Sequence, residues 1–149
     1  MIRQATAGDI ERFHRLTTRA YEGYIAHLGR RPTPMDRDYR PVIAAGSVWV
    51  DHQMRGGIVL EAKDGKLEVY SLVVDPDHHS QGLGQRLLGF VEDRAQHCGV
   101  KVLRLCTGDT MLRNISVYQK FGFREVGRED INVTHSPTVV WMEKTIGAS

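Results

Sequence analysis

The segment Leu72-Val73-Val74-Asp75-Pro76-Asp77-His78-His79-Ser80-Gln81-Gly82-Leu83-Gly84-Gln85-Arg86-Leu87-Leu88 passes from a strand-like run, through a polar turn, into helical spacing. A helix that starts at or near Gly82 leaves about four N–H groups without internal partners. Together with the helix dipole, these groups form an anion site. Gly82 and Gly84 have no side chains to hold a pyrophosphate away. Two glycines alone fit a tight helix start equally well. Other phosphate loops do not fit: no Lys-Ser or Lys-Thr follows a five-residue gap, and the third glycine of the dinucleotide fingerprint is missing.

A second chemical segment is Met111-Leu112-Arg113-Asn114-Ile115-Ser116-Val117-Tyr118-Gln119-Lys120-Phe121-Gly122-Phe123. Asn114 and Tyr118 are four residues apart and share one helix face. A tyrosine aimed at the open end of a sheet can donate its hydroxyl proton, or it can be an amphipathic core residue with a wet hydroxyl. Glu68 lies on the strand that leads to Val74. Strict alternation puts Tyr70 and Leu72 on its face. A carboxylate here can act as a general base, or it can simply be solvated. Cys106 ends the next strand but has no His-Asp set beside it, so it reads as structural rather than as an acyl carrier. His14, His27, His52, His97 and His135 are scattered and fit no metal template, and no metal is expected.

The elements that would position these residues are legible in the periodicity. Thr6-Ala7-Gly8-Asp9 has the form of a capping box. Ile10, Phe13, Ala20, Tyr21, Tyr24, Ile25 and Leu28 recur at helical spacing until Gly29. A second helix is expected over Met35 to Ala45, with Pro41 marking an irregularity. Val48 to Val50, Ile58 to Leu60 and Leu67 to Val74 read as strands, and Asp64-Gly65 reads as a hairpin turn. A helix with Leu83, Leu87, Leu88, Val91 and Ala95 on one face ends at Gly99. Val100 to Leu105 is a strand, Met111 to Phe121 a helix, and Phe123 to Val133 and Thr138 to Thr145 are strands. The order β-α-α-β-β-β-α-β-α-β-β is mixed α/β with one clear strand–helix–strand crossover. In the first helix and its loop, Tyr21, Tyr24, Arg31, Met35 and Tyr39, with Tyr70 from the strand, are candidates to line a substrate site, or each is an ordinary packing residue.

Composition narrows the function classes. The 149 residues suit one domain spanning 1–149, and 41% hydrophobic with 26% charged residues is the globular range. A net charge of +2 with scattered basic residues argues against a nucleic-acid partner. No apolar stretch approaches the ~18 residues of a membrane span. The first residues lack a secretion signal, and two isolated thiols, Cys98 and Cys106, suit a reducing compartment, so a cytoplasmic location is expected. A homodimer remains open.

Taken together, the two segments resemble the GNAT N-acetyltransferase superfamily. Its central signature, Arg or Gln followed by two residues, Gly, any residue, then Gly or Ala, reads here as His79-Ser80-Gln81-Gly82-Leu83-Gly84. Tyr118-Gln119-Lys120-Phe121-Gly122-Phe123 is similar to its Tyr-x-x-x-Gly-Phe helix end. The likeness runs in element order from the Ile2-Arg3 strand to the strand at Val139–Lys144. Two positions depart from the pattern. His79 replaces Arg or Gln, which would make one phosphate contact weaker or dependent on pH. Met111 stands where an Asn often lies seven residues before the Tyr, with Asn114 one turn before Tyr118.

The resemblance implies a mostly antiparallel sheet with one splayed parallel strand pair, flanked by about four helices. It implies acetyl-CoA as cosubstrate and a small-molecule or protein amine as acceptor, with direct attack in a ternary complex. Backbone groups of Leu72, Val73 and Val74 would pair with the pantetheine arm. N–H groups from Gln81 to Gln85 would hold the pyrophosphate, with His79, Ser80 and Asn114 also on the cofactor. Tyr118 would protonate the departing thiolate, and Glu68 is the base candidate. A non-catalytic acyl-CoA-binding regulatory domain is the alternative on the same scaffold.

Overall fold

The computed structural model describes residues 1–29, 31–130 and 138–146, without the side chains of His27 and Leu28. The expected strand positions 131–133 and His135 therefore lie outside the described residues. Among the described residues seven strands form one sheet: β1 (Ile2–Gln4), β2 (Val48–Asp51), β3 (Gly56–Lys63), β4 (Lys66–Val74), β5 (Val102–Gly108), β6 (Arg124–Asp130) and β7 (Thr138–Thr145). Their order is β1-β2-β3-β4-β5-β7-β6. Among the described strands only β4 and β5 run parallel. The β3–β4 turn has Asp64 and Gly65 at φ 53° and 76°, the left-handed pair that a two-residue hairpin needs.

The helices differ from expectation in their continuity. The first helical pattern is α1 (Ile10–Tyr21), a 3-10 turn at Glu22–Tyr24, and α2 (Ile25–Leu28), ending at Gly29 with φ 68°. The second is two separate turns, α3 (Thr33–Asp36) and α4 (Arg40–Ala44). Pro41 sits in the first turn of α4, where its missing N–H costs nothing, and Arg37 between the two turns is extended. Helices α5 (Leu83–His97) and α6 (Leu112–Lys120) complete the chain order.

The sheet has a core on each face. On one face α5 and α6 bury Leu87, Leu88, Val91 and Tyr118 against Ile58, Leu103, Leu105, Val140 and Met142. On the other, α1 and α4 bury Phe13, Leu16, Val42 and Ile43 against Val48, Val50, Val59 and Val73. Two glycines let both layers close on β3. A Cβ on Gly57 would stand 2.9 Å from the Phe13 ring, and one on Gly56 would stand 3.0 Å from both Leu83 and the Val73 carbonyl. The capping box forms at a 3-10 turn, Ala7–Asp9, that leads into α1: the Thr6 N–H donates to the Asp9 carboxylate at 2.8 Å, and Arg3 holds the same carboxylate at 2.7 and 2.9 Å.

The β3–β4 register shifts once, with Val59 facing Ser71 and Leu60 facing Val69, so Tyr70 is a bulge. The alternation expected for Glu68, Tyr70 and Leu72 therefore breaks. Tyr70 packs on the α1 side, and Leu72 packs on the α5 side. A bulge adds one residue to one strand and re-aims the side chains beyond it.

Candidate active site

Strand β4 is bonded to β3 as far as Val74, and β5 to β7 as far as Gly108. Between them the parallel pairing has only two steps, Leu67 facing Leu103 and Glu68 facing Arg104. Beyond Glu68 the strands part, and the edge of β4 that faces β5 has no strand partner among the described residues. A cleft of about 550 Å³ fills this fork. An unpaired strand edge beside a cavity offers N–H and C=O groups to an extended ligand.

At one end of the cleft the chain turns from Asp75 through His79 and enters α5 at Gly82. Ser80 and Gly82 are both left-handed, at φ 65° and 77°. A left-handed non-glycine residue is strained, and such residues cluster at functional sites. The Arg86 N–H bonds back to the Gly82 carbonyl at 3.1 Å. The N–H groups of the helical residues before it belong to the open first turn. A Cβ added at Gly82 or Gly84 would meet nothing within 4 Å. No neighbour in the fold demands glycine at 84, and the bare backbone leaves room for a bulky anion. Arg19 of α1 fixes this turn by bonding Asp75 at 3.1 Å and Asp77 at 3.0 Å.

Helix α6 forms the facing wall. Asn114 and Tyr118 line the cleft from one face of it. Tyr118 is buried and lies edge-on to Phe123 at 5.9 Å between centroids. Among the described residues no hydrogen bond holds its hydroxyl. Burial raises its pKa well above that of an ordinary tyrosine, so the proton stays on oxygen at neutral pH. Arg113, one residue before Asn114, reaches across the cleft mouth. Its Nη1 is 3.4 Å from His79 Nδ1, and its Nη2 donates to Ser80 Oγ at 3.4 Å. Sequence reasoning passes over Arg113 because its helical position alone does not show that it spans to the other half-site.

The opposite end is aromatic. Tyr21 donates to or accepts from Ser71 Oγ at 3.1 Å, and its pKa is pushed up to about 12 by burial. Tyr24 lies 6.5 Å from it, ring to ring. Glu68 and Cys106 open to the same space. Cys106 is exposed on the cleft, yet the protein around it desolvates the thiol in part and Glu68 is near, so its pKa is pushed up to about 11 and it is not a thiolate at neutral pH.

The fold thus brings Tyr21, Tyr24, Glu68, Tyr70, Leu72, Val73, Val74, His79, Ser80, Gly82, Leu83, Gly84, Gln85, Asn114 and Tyr118 to one cleft. Gln81 is exposed beside it, 3.4 Å from His78. Met35 and Tyr39 lie elsewhere. Met35 is 1% exposed, in a turn packed on α1. Tyr39 is T-stacked on Phe13 at 5.0 Å and donates its hydroxyl to the Pro34 carbonyl. Once the expected helix breaks at Arg37, both large side chains go into the core rather than over the acceptor. Arg31, bonded to Asp36 at 3.0 Å, is exposed and does not itself line the cleft, although the following Pro32 does. Among the described residues no cluster of His, Cys, Asp and Glu could hold a metal ion, and no helix is long and apolar enough to cross a membrane.

Known proteins share this architecture. The family model described as "Acetyltransferase (GNAT) family" matches residues 10–123. An IAA acetyltransferase of Azospirillum brasilense is 35% identical over 72 residues, covering 48% of this chain and 47% of the relative. The chain spans about half the length, or less, of the curated relatives it matches. Two solved structures share the fold at 18% identity. The ribosomal-protein-S18-alanine N-acetyltransferase from Escherichia coli superposes with TM-score 0.77 over 100% of this chain and 95% of that one. The PaiA N-acetyltransferase from Thermoplasma acidophilum, solved in complex with coenzyme A, superposes with TM-score 0.79 over 97% and 98%.

Proposed function

The chain belongs to the acetyltransferase (GNAT) family, and on that premise we propose that it transfers an acetyl group from acetyl-CoA to a primary amine by direct attack in a ternary complex. The observation that carries this reading is the fork between β4 and β5, with Tyr118 on one wall and an open helix start at Gly82 at one end. The residues present fit the cosubstrate. Leu72, Val73 and Val74 offer an unpaired strand edge for the pantetheine arm. The first turn of α5 offers N–H groups to the pyrophosphate, over glycines whose missing Cβ atoms leave space.

Acetyl-CoA supplies the acetyl group as a thioester. Glu68 takes a proton from the acceptor ammonium, directly or through water, because only a neutral amine attacks a carbonyl. The neutral amine adds to the carbonyl carbon, the nitrogen of the adduct loses its second proton to solvent, and the C–S bond breaks as the carbonyl reforms. Tyr118 gives its proton to the departing sulfur and regains one from solvent. A backbone N–H near Val74 supports the acetyl oxygen while it carries negative charge.

A thiol-release assay with acetyl-CoA and a panel of amines tests the transfer. Saturating acetyl-CoA should also raise the melting temperature. Binding without thiol release on any amine would favour a regulatory acyl-CoA-binding domain. No binding at all would overturn the cosubstrate.

A further inference from the structure

The charges around the acceptor end narrow the acceptor's chemical class, an inference that rests on the transferase reading above. Among the described residues lining the cleft, Glu68 is the one carboxylate and Arg113 the one lysine or arginine. Arg113 stands at the far end, against His79 and Ser80. No hydrogen bond or ion pair among the described residues holds the Glu68 carboxylate, so it is free to meet a cation.

Three other cations stand near the acceptor end: Lys63, exposed at the end of β3 and acting on Cys106 without lining the cleft, and two that are engaged. Arg37 lies over the Tyr70 ring at 4.2 Å and bonds both Glu61 oxygens at 2.9 and 3.1 Å. Arg104 lies over the Trp141 ring at 4.1 Å, with its Nε enclosed. Neither lines the cleft. Tyr21 and Tyr24 lie 6.5 Å apart ring to ring, and both line the cleft, so this end presents aromatic surface to a ligand.

We infer that the acceptor is an amine with an apolar, ring-sized body and no carboxylate beside the amine. Such a cation is drawn by Glu68 and by the faces of Tyr21 and Tyr24. A carboxylate on the amine-bearing carbon would come close to Glu68 and find no lysine or arginine lining that end of the cleft to receive it. Like charges placed together at a binding site disfavour the wrong ligand.

Phenethylamine and phenylalanine differ only in that carboxylate, so they form the test. Rates are compared at one pH and corrected for the neutral amine fraction. Phenethylamine should show a kcat/KM higher by about 10-fold or more. Equal or better use of phenylalanine would overturn the inference and point to Arg104 as a carboxylate receiver. If neither is acetylated while acetyl-CoA still raises the melting temperature, the acceptor class is wrong and the cosubstrate reading stands. If acetyl-CoA does not bind, both readings fail.

Discussion

Glu68 and Arg104 face each other across the last paired step of β4 and β5, and the sheet opens immediately beyond them. Glu68 is therefore held by strand pairing on both sides, against Glu61 on β3 and Arg104 on β5. Its carboxylate stands at the root of the fork, where an acceptor amine would arrive. A base at this point is fixed by backbone rather than by a mobile loop, which is what positioning a proton acceptor requires.

Replacing Glu68 by Gln keeps the shape and removes the proposed base. Turnover on the best amine should fall by about 10²-fold near neutral pH. It should recover in part as pH rises and more of the amine is neutral. Acetyl-CoA affinity should not change. Steady-state rates from pH 6 to 10 check this, and a rate within twofold of the parent at every pH would show that water or another group takes the proton.

Sequence pattern and structure part company where tertiary packing overrides local preference. The glycine-bearing turn into α5, the Asp64-Gly65 hairpin and the core stripe of α5 are legible from residue type alone, because each satisfies a backbone or periodic requirement within a few residues. The fork between β4 and β5 is legible too, but only through family resemblance. The bulge at Tyr70 is not, since Val-Tyr-Ser-Leu reads as unbroken alternation and the extra residue shows only against β3. Met35 and Tyr39 line an acceptor site only if one continuous helix carries them, and the break at Arg37 turns them inward. Arg113 escapes sequence reasoning because its role depends on a 34-residue separation from His79, which no local spacing encodes.

Arg113 offers a cation to a phosphate at the mouth of the cleft, where it has no acidic partner among the described residues and only long contacts to His79 and Ser80. Arg113→Ala should weaken CoA binding by about 10-fold at low salt, and by less at high salt, where exposed charges are screened. Binding of a pantetheine derivative without the nucleotide should be unaltered. Calorimetry on the two ligands separates these effects, and equal losses on both would place Arg113 in the structure of α6 rather than on the phosphates.

Asp51 ties the β2–β3 turn together. Its carboxylate is 1% exposed and accepts from Arg55 Nε at 2.7 Å, Arg55 Nη2 at 3.0 Å, and the N–H groups of Gln53 and Arg55. The Arg55 guanidinium, above all, holds the carboxyl well below the usual carboxylate range, against the opposing effect of burial. The native state therefore favours the ionised form. The stability this contributes is present above the unfolded pKa of about 4 and is lost as pH falls through the native value. Asp51→Asn should cost about 2 kcal/mol at pH 7 and much less near pH 2. Urea melts of both proteins across that range check the convergence, and curves that stay parallel would show that the ionised carboxylate adds nothing.

Tyr118 combines two properties that a thiolate-protonating group needs. Its ring is anchored, buried at 8% exposure against Phe123, while the residue still lines the cleft. Its pKa is raised by burial, so the proton is retained throughout the pH range in which the amine acceptor is partly neutral. Removing the hydroxyl therefore should not shift the pH profile below about pH 10, because the group does not titrate there. It should lower the whole profile. Tyr118→Phe should reduce kcat by about 10- to 1000-fold while KM for acetyl-CoA and the melting temperature stay close to the parent values. Thioesters with better leaving groups should be affected less, since an acidic thiol departs without a donor. An unchanged kcat would remove Tyr118 from the reaction. A fall in melting temperature of several degrees, with the rate per folded molecule preserved, would show instead that the hydroxyl is a structural group of the α6 core.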